Sequence, residues 1–280
     1  MIPVCDLHAH SCFSDGTYTP EELVAEAKRI GLKAIALTDH NNVDGLPRFS
    51  SAAQKVGIEA VPGVEFSTDY LGAELHVLML FVQPNHYDTI RSVLRDFHLR
   101  KEQSDRDLVE NLNRSGIHIF YDEIRQKTPS GFVNRAVVAS ELVEKGYVSS
   151  VKEAFKNFLS EKNGFYKPPK RTDVFEMIRF IKRLNGVAVL AHPFLNLDEA
   201  ALRRFLPEAI AAGLDAMETM YSKYDAETTE IAAKIADEFG ILHSGGSDFH
   251  GDVKPDIALG TGRGNLIIPY TVLQKLKKNK

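Results

Sequence analysis

Three separated stretches of this chain carry histidines and carboxylates at spacings that suit shared metal ions. The first is Asp6-Leu7-His8-Ala9-His10, followed closely by Ser14-Asp15-Gly16. The second is Thr38-Asp39-His40, and the third is Gly246-Ser247-Asp248-Phe249-His250. Residues i and i+2 of an extended segment share a face, so His8 and His10 can grip one ion together. Asp248 and His250 repeat that spacing near the other end of the chain. A mixed histidine and carboxylate set points to hydrolytic chemistry on Mn, Fe or Zn.

Such groups need buried strands to hold them. Residues 3–8, 34–38, 58–67 and 74–82 read as apolar strands, separated by a helix that starts at Thr19-Pro20-Glu21-Glu22 and a second over 47–56. This βαβαβ rhythm predicts a parallel sheet or barrel, whose functional groups gather at the C-terminal ends of strands. His8, His10, His40 and Glu65 fall at such ends. The rhythm stops between about 85 and 170, where the sequence is charged and helical, with helices expected around 91–112, 134–145 and 151–161. It resumes with a helix over 173–184 and a strand Val187–Ala191 ending in His192-Pro193. Strands over 214–219, carrying Glu218, and 241–247, leading into Asp248, follow. The expected architecture is an α/β barrel from residues 1–84 and 171–280, interrupted by a helical cap over 85–170.

His8, His10, His40, His76, His192 and His250 each lie in or just after an apolar strand, and Asp15, Glu65 and Asp248 occupy comparable places. So many metal-competent groups at one end of a barrel form a site rather than a coincidence. His86, His98, His118 and His243 lack that setting and read as structural or exposed. Asp39 reads as an acceptor that orients a ligand histidine, with a helix cap as the alternative; Asp6 has the same two readings.

These residues carry a resemblance. Asp6-Leu7-His8-Ala9-His10-Ser11, Thr38-Asp39-His40, Pro62-Gly63-Val64-Glu65, Ala191-His192-Pro193 and Gly246-Ser247-Asp248-Phe249-His250 resemble, in order, the motifs of the PHP (polymerase and histidinol phosphatase) family. The insertion and the stretch from Lys254-Pro255 through Gly260 to Leu266 resemble its small bacterial branch of 3′,5′-nucleoside bisphosphate phosphatases and 5′-to-3′ RNA exonucleases. The resemblance implies a distorted (β/α)7 barrel with a helical cap and two or three divalent ions, Mn2+ foremost, with Fe2+ or Zn2+ as alternatives. It implies that His8, His10, Glu65 and Asp248 hold the first ion. Glu65 then bridges to a second ion on His76 and His192, and Asp15, His40 and His250 hold a third. Asp248 and His250 are also the implied catalytic residues. Where the family often shows Gly-Arg-Pro-His, this chain has Asn134-Arg135-Ala136-Val137: the arginine is kept and the histidine is not. Arg135 with Asn134, and Lys254 with Arg263 at the barrel rim, are therefore the candidate substrate contacts. A guanidinium can take two phosphate oxygens at once. An ordinary surface ion pair is the alternative for Arg135; Lys167, Lys170 and Arg171 read as a basic hinge where the cap rejoins the barrel, with a solvated linker as the alternative.

Three divalent ions exceed the charge of Asp15, Glu65 and Asp248, and a phosphate dianion with a hydroxide can meet the remainder. The expected reaction is hydrolysis of a nucleotide phosphomonoester by a water made acidic on the ions. A 5′-3′ exoribonuclease on short RNA, a histidinol-phosphate phosphatase and a metal-dependent binding module are the competing readings. A net charge of −4 over 280 residues gives no positive field for long duplex nucleic acid. The expected partner is a small nucleotide or a short RNA, with no membrane and no obligatory protein. Cys5 and Cys12, the two cysteines, suggest no disulfide framework, and no signal-like or spanning apolar run is apparent. A cytoplasmic location is the expectation.

Overall fold

The computed structural model describes residues 2–128 and 133–279. Eight strands are present among them: β1 (Cys5–Asp6), β2 (Ala34–Leu37), β3 (Glu59–Tyr70), β4 (Ala73–Leu80), β5 (Thr172–Asp173), β6 (Val187–Ala191), β7 (Ala216–Tyr221) and β8 (Leu242–Gly246). The α-helices are α1 (Pro20–Arg29), α2 (Leu46–Val56), α3 (Tyr87–Arg114), α4 (Tyr121–Lys127), α5 (Arg135–Glu144), α6 (Val151–Ala154), α7 (Val174–Arg183), α8 (Glu199–Ala212), α9 (Ala226–Phe239) and α10 (Tyr270–Lys278). The chain divides into two compact units, Met1–Asp88 with Arg171–Lys280, and Thr89–Lys170.

The first unit is a nearly closed barrel in the order β1-β2-β3-β4-β6-β7-β8, with β5 paired to the outer end of β3. Its helices start and stop on local chemistry. Thr19 and Glu22 form a reciprocal capping box at α1, and Gly57 ends α2 in the left-handed conformation. Alternate strand residues, among them Ala34, Ala36, Leu78, Leu80, Val187 and Val189, pack into one buried apolar cluster. The seam between first and last strands closes by backbone bonds: Leu7 N–H donates to Gly245 at 3.2 Å, Asp248 N–H to His8 at 2.8 Å and His10 N–H to Phe249 at 2.9 Å. Gly246 permits this approach, because a Cβ there would lie 2.1 Å from the Cβ of His8.

One expectation from the sequence needs correction. The barrel is not wholly parallel: β4 runs antiparallel to both β3 and β6. Only Leu71 and Gly72 connect β3 to β4, and both have positive φ (52° and 86°), the backbone of a tight hairpin turn. Two residues cannot make the crossover that a parallel pair requires.

The second unit has its own apolar core, which includes Leu108, Leu112, Ile119, Ile124, Val138 and Leu142. Its last helix departs from the expected 151–161 span. Four α-helical residues pass into a π-helical turn over Phe155–Leu159, and Ser160 is already extended. Cys5 and Cys12 are free thiols. Among the described residues no helix is long and apolar enough to cross a membrane.

Candidate metal centre

Strand ends deliver each chemical group. His8 and His10 follow β1, and the backbone of Ala9 between them bridges Phe249, so both rings turn to the same side. His40 follows β2 and bridges Glu65 on β3. His192 follows β6, and Asp248 and His250 follow β8. The reversal of β4 places His76 near that strand's start, opposite Ser67 of β3 and Ala191 of β6. His192 (φ 30°), Asp248 (φ 56°) and Asn41 (φ 48°) all adopt left-handed backbone at these ends, a strain characteristic of functional sites.

Glu65 is the hub. Its Oε2 lies 3.1 Å from His8 Nε2, 3.2 Å from His10 Nε2 and 3.1 Å from His40 Nδ1. Its Oε1 lies 2.8 Å from His76 Nδ1 and 3.1 Å from His192 Nε2. Asp248 Oδ1 approaches His10 Nε2 at 3.3 Å and His250 Nδ1 at 3.4 Å, and Asp15 Oδ1 approaches His250 Nε2 at 3.2 Å. Three overlapping groups have metal-ligand spacing: His8, His10 and Glu65; His40, Glu65 and His76; and His10, Asp15, His40 and His250.

Hydrogen bonding fixes which nitrogens face inward. His8 Nδ1 lies 3.0 Å from Glu218 Oε1 and donates to it, so Nε2 presents a lone pair toward His10 Nε2, 3.0 Å away. His250 Nδ1 donates to the Asp248 carbonyl at 2.8 Å, which turns Nε2 toward Asp15. Asp15 Oδ1, His40 Nδ1 and Glu65 Oε2 are buried and have no hydrogen-bond partner. Buried nitrogen and oxygen donors left without partners at this spacing fit cations.

The electrostatics agree. Burial opposes ionisation of Glu65, Asp15 and Asp248, yet neighbouring histidines outweigh it and hold all three carboxyls well below their usual range. Burial likewise opposes protonation of His10 and His76, but the carboxylates beside them lift these to about 9 and about 10. Burial wins at His40, which falls to about 3.

Three further residues support the ligands: the sequence marks Glu218 only by its place on a strand and Lys254 only as a candidate substrate contact, and it does not mark Tyr221. Glu218 accepts from His8 with Oε1 and from the backbone N–H of His192 with Oε2, at 2.7 Å. Tyr221 O–H and Lys254 Nζ both donate to Asp248 Oδ2, at 2.8 and 2.7 Å. The one sequence signal was an acid within a short apolar strand, since a buried carboxylate demands partners. Asp39 touches no ligand histidine directly and caps no helix. It accepts from Ser11 N–H, Ser11 O–H and Ser14 O–H, bracing the turn that carries Asp15. Asp6 accepts backbone N–H groups of His8, Ser247 and Gly260, tying the seam to the tail.

The expected substrate contacts have individual placements. Asn134 is the N-cap of α5, accepting from Val137 N–H at 2.9 Å. The Arg135 guanidinium lies over the Tyr166 ring at 4.4 Å and donates to the Leu159 carbonyl at 3.4 Å. Lys254 stands at the cluster itself, on Asp248. Arg263 is half exposed and paired with Asp256 at 2.7 Å.

An α/β barrel that gathers buried histidines and carboxylates with metal-ligand spacing at its strand ends defines a metal-dependent hydrolase. The family model of the PHP domain matches residues 6–166, and the chain belongs to that family, as a metal-dependent phosphoesterase. It is 32% identical over 251 residues to a 5′-3′ exoribonuclease of Haemophilus influenzae, covering 89% of this chain and 91% of that one. It is 28% identical over 247 residues to a 3′,5′-nucleoside bisphosphate phosphatase of Chromobacterium violaceum, covering 88% and 86%. Among solved structures, a protein assigned as a metal-dependent phosphoesterase from Bifidobacterium adolescentis has a TM-score of 0.86 at 27% identity, over 98% of this chain and 95% of that one.

Proposed function

We propose that this phosphoesterase breaks the 3′-O–P bond of a 5′-phosphorylated nucleoside, with a nucleoside 3′,5′-bisphosphate as substrate and a 5′-nucleotide and phosphate as products. The observation that carries the reading is Glu65, whose two oxygens each face histidine nitrogens at 2.8–3.2 Å while Oε2 has no hydrogen-bond partner. One ion is assigned to His8, His10, Glu65 and Asp248. A second is assigned to Glu65, His76 and His192, and a third to Asp15, His40 and His250. Mn2+ is the proposed ion, since the donors are imidazole and carboxylate alone. Bound ions would supply positive charge to the phosphoryl oxygens and acidify a water.

The chain supplies the rest. Glu218 fixes His8 and the backbone of His192, Tyr221 fixes Asp248, and the His250 ring is locked by the Asp248 carbonyl. Asp248 and His250 face the reacting centre. Lys254 is set to hold a phosphoryl oxygen beside them. Arg135 with Asn134 and, separately, Arg263 are the proposed candidate contacts for the 5′-phosphate. A small substrate suits a net charge of −4, and a cytoplasmic setting suits a nucleotide substrate.

A second reading, 5′-3′ exoribonuclease, is favoured by the 32% identity to the Haemophilus influenzae enzyme. It breaks the same bond, with the downstream strand of a short RNA attached to the phosphate. The deciding measurement is kcat/KM with Mn2+ for adenosine 3′,5′-bisphosphate, a short 5′-phosphorylated RNA and histidinol phosphate. Fastest turnover of the bisphosphate is expected. Faster turnover of RNA would move the assignment to exoribonuclease, and faster histidinol phosphate would refute both.

A further inference from the structure

The α/β unit resumes at Arg171, immediately after the second unit ends at Lys170. The next two residues form β5, whose pairing of Thr172 with Thr68 and Asp173 with Asp69 anchors the backbone there. The Arg171 side chain is 9% exposed, and its Nη2 donates to Glu74 Oε2 at 2.6 Å. The other oxygen of Glu74 lies 3.3 Å from His76 Nε2, and His76 Nδ1 lies 2.8 Å from Glu65 Oε1. Glu74 and His76 are two apart on β4 and share a face. The Glu74 carbonyl is pinned as well, accepting from Asn196 Nδ2 at 2.8 Å. A continuous arm therefore runs from Arg171 through Glu74 and His76 to the hub carboxylate.

We propose that Arg171 and Glu74 are positioning residues for His76. Arg171 holds the Glu74 carboxylate in one orientation. Glu74 takes the Nε2 hydrogen of His76, which leaves the Nδ1 lone pair aimed beside Glu65. A carboxylate on the far nitrogen fixes the tautomer and ring angle of a ligand histidine and raises its basicity. Arginine suits the post, because its planar guanidinium stays charged at low exposure. The proposal rests on the assignment of His76 as a metal ligand. It adds a residue at the chain junction as the ultimate support of that ligand.

The test separates positioning from simple fold maintenance. Mn2+ binding is measured by equilibrium dialysis, alongside the Mn2+ concentration that gives half-maximal phosphate release. Arg171→Ala and Glu74→Ala should each weaken one Mn2+ by about 10–100-fold while the other ions bind as before. Saturating Mn2+ should restore kcat, with KM for the nucleotide unchanged, and Arg171→Lys should retain most of the affinity. In a His76→Ala background, Glu74→Ala should have no further effect on Mn2+ binding. Glu74→Gln, close in shape, serves if an alanine variant fails to fold, and should also weaken one ion. A lowered melting temperature with wild-type Mn2+ affinity would make the pair purely structural and overturn the proposal. If His76→Ala itself binds every ion at wild-type affinity, the ligand assignment fails beneath it.

Discussion

The Tyr221 hydroxyl donates to Asp248 at 2.8 Å, on the carboxylate oxygen that faces away from the histidines. Lys254 shares that oxygen, so Oδ1 is left to His10 and His250. Burial, and then Asp248, raise the Tyr221 pKa, which keeps the phenol a donor across the working range. Tyr221→Phe removes one charge-assisted hydrogen bond, and kcat/KM should fall by about 10–150-fold. Asp248→Ala should abolish turnover with circular dichroism unchanged. Wild-type kinetics for Tyr221→Phe would show that Lys254 alone orients the carboxylate.

Glu218→Gln tests the support of two ligands at once. The amide has a single oxygen: if it accepts from the His192 N–H, the variant turns an N–H toward His8 Nδ1, and if it accepts from His8, an N–H faces the His192 N–H. Loss of such a carboxylate costs metal affinity by about 10–100-fold. Isothermal titration of the metal-stripped protein with Mn2+ measures it, and unchanged affinity would reduce Glu218 to a packing role.

Metal removal should couple to pH. His10 and His76, lifted to about 9 and about 10, bind protons more tightly folded than unfolded, where the reference value is 6.5. Their stabilisation of the metal-stripped protein is fully present below 6.5 and is lost as pH climbs through about 9 to 10. Ligand histidines must be deprotonated to take an ion. The gain in Tm from Mn2+ should therefore be small near about pH 6 and grow toward about pH 9. Calorimetry with and without the ion checks this, and a pH-independent gain would count against histidine ligation.

Arg135→Ala should raise KM for the bisphosphate, with a loss in kcat/KM of about 10–150-fold. Because the guanidinium also lies over Tyr166, Tm is measured in parallel. A fall in Tm with unchanged KM would assign Arg135 to packing alone.

Most of the histidines and carboxylates that the structure gathers were legible because they lie in or just after apolar strands, where period and type can be read together; Asp15, in a polar turn, stood out only by its nearness to His8 and His10. Strand direction at β4 was not legible. A tight hairpin is usually signalled by Asn-Gly or Asp-Gly, whereas Leu71-Gly72 offers half of that signal. The supporting shell was harder still. Glu218, Tyr221 and Glu74 look like ordinary strand residues until the barrel brings partners from distant segments. Asp39 shows the limit from the other side: read as an acceptor that orients a ligand histidine, it bonds to Ser11 and Ser14 and reaches His10 only through Ser14 Oγ, 3.4 Å from His10 Nδ1. Sequence neighbours on a strand point to opposite faces.

The seam between β1 and β8 sets the order in which the site can come into being. Glu65 and His76 lie within one hairpin and meet after a short excursion of chain. His8 and Asp248 stand 240 residues apart, and Asp6 must accept the Ser247 N–H across a similar span. Closing so long a loop is the slow and costly event. The hairpin thus brings Glu65 and His76 together early, and the cage is complete only once the two ends of the chain have met. Occupancy of the complete cage is therefore a report, readable from outside, that this barrel has finished folding.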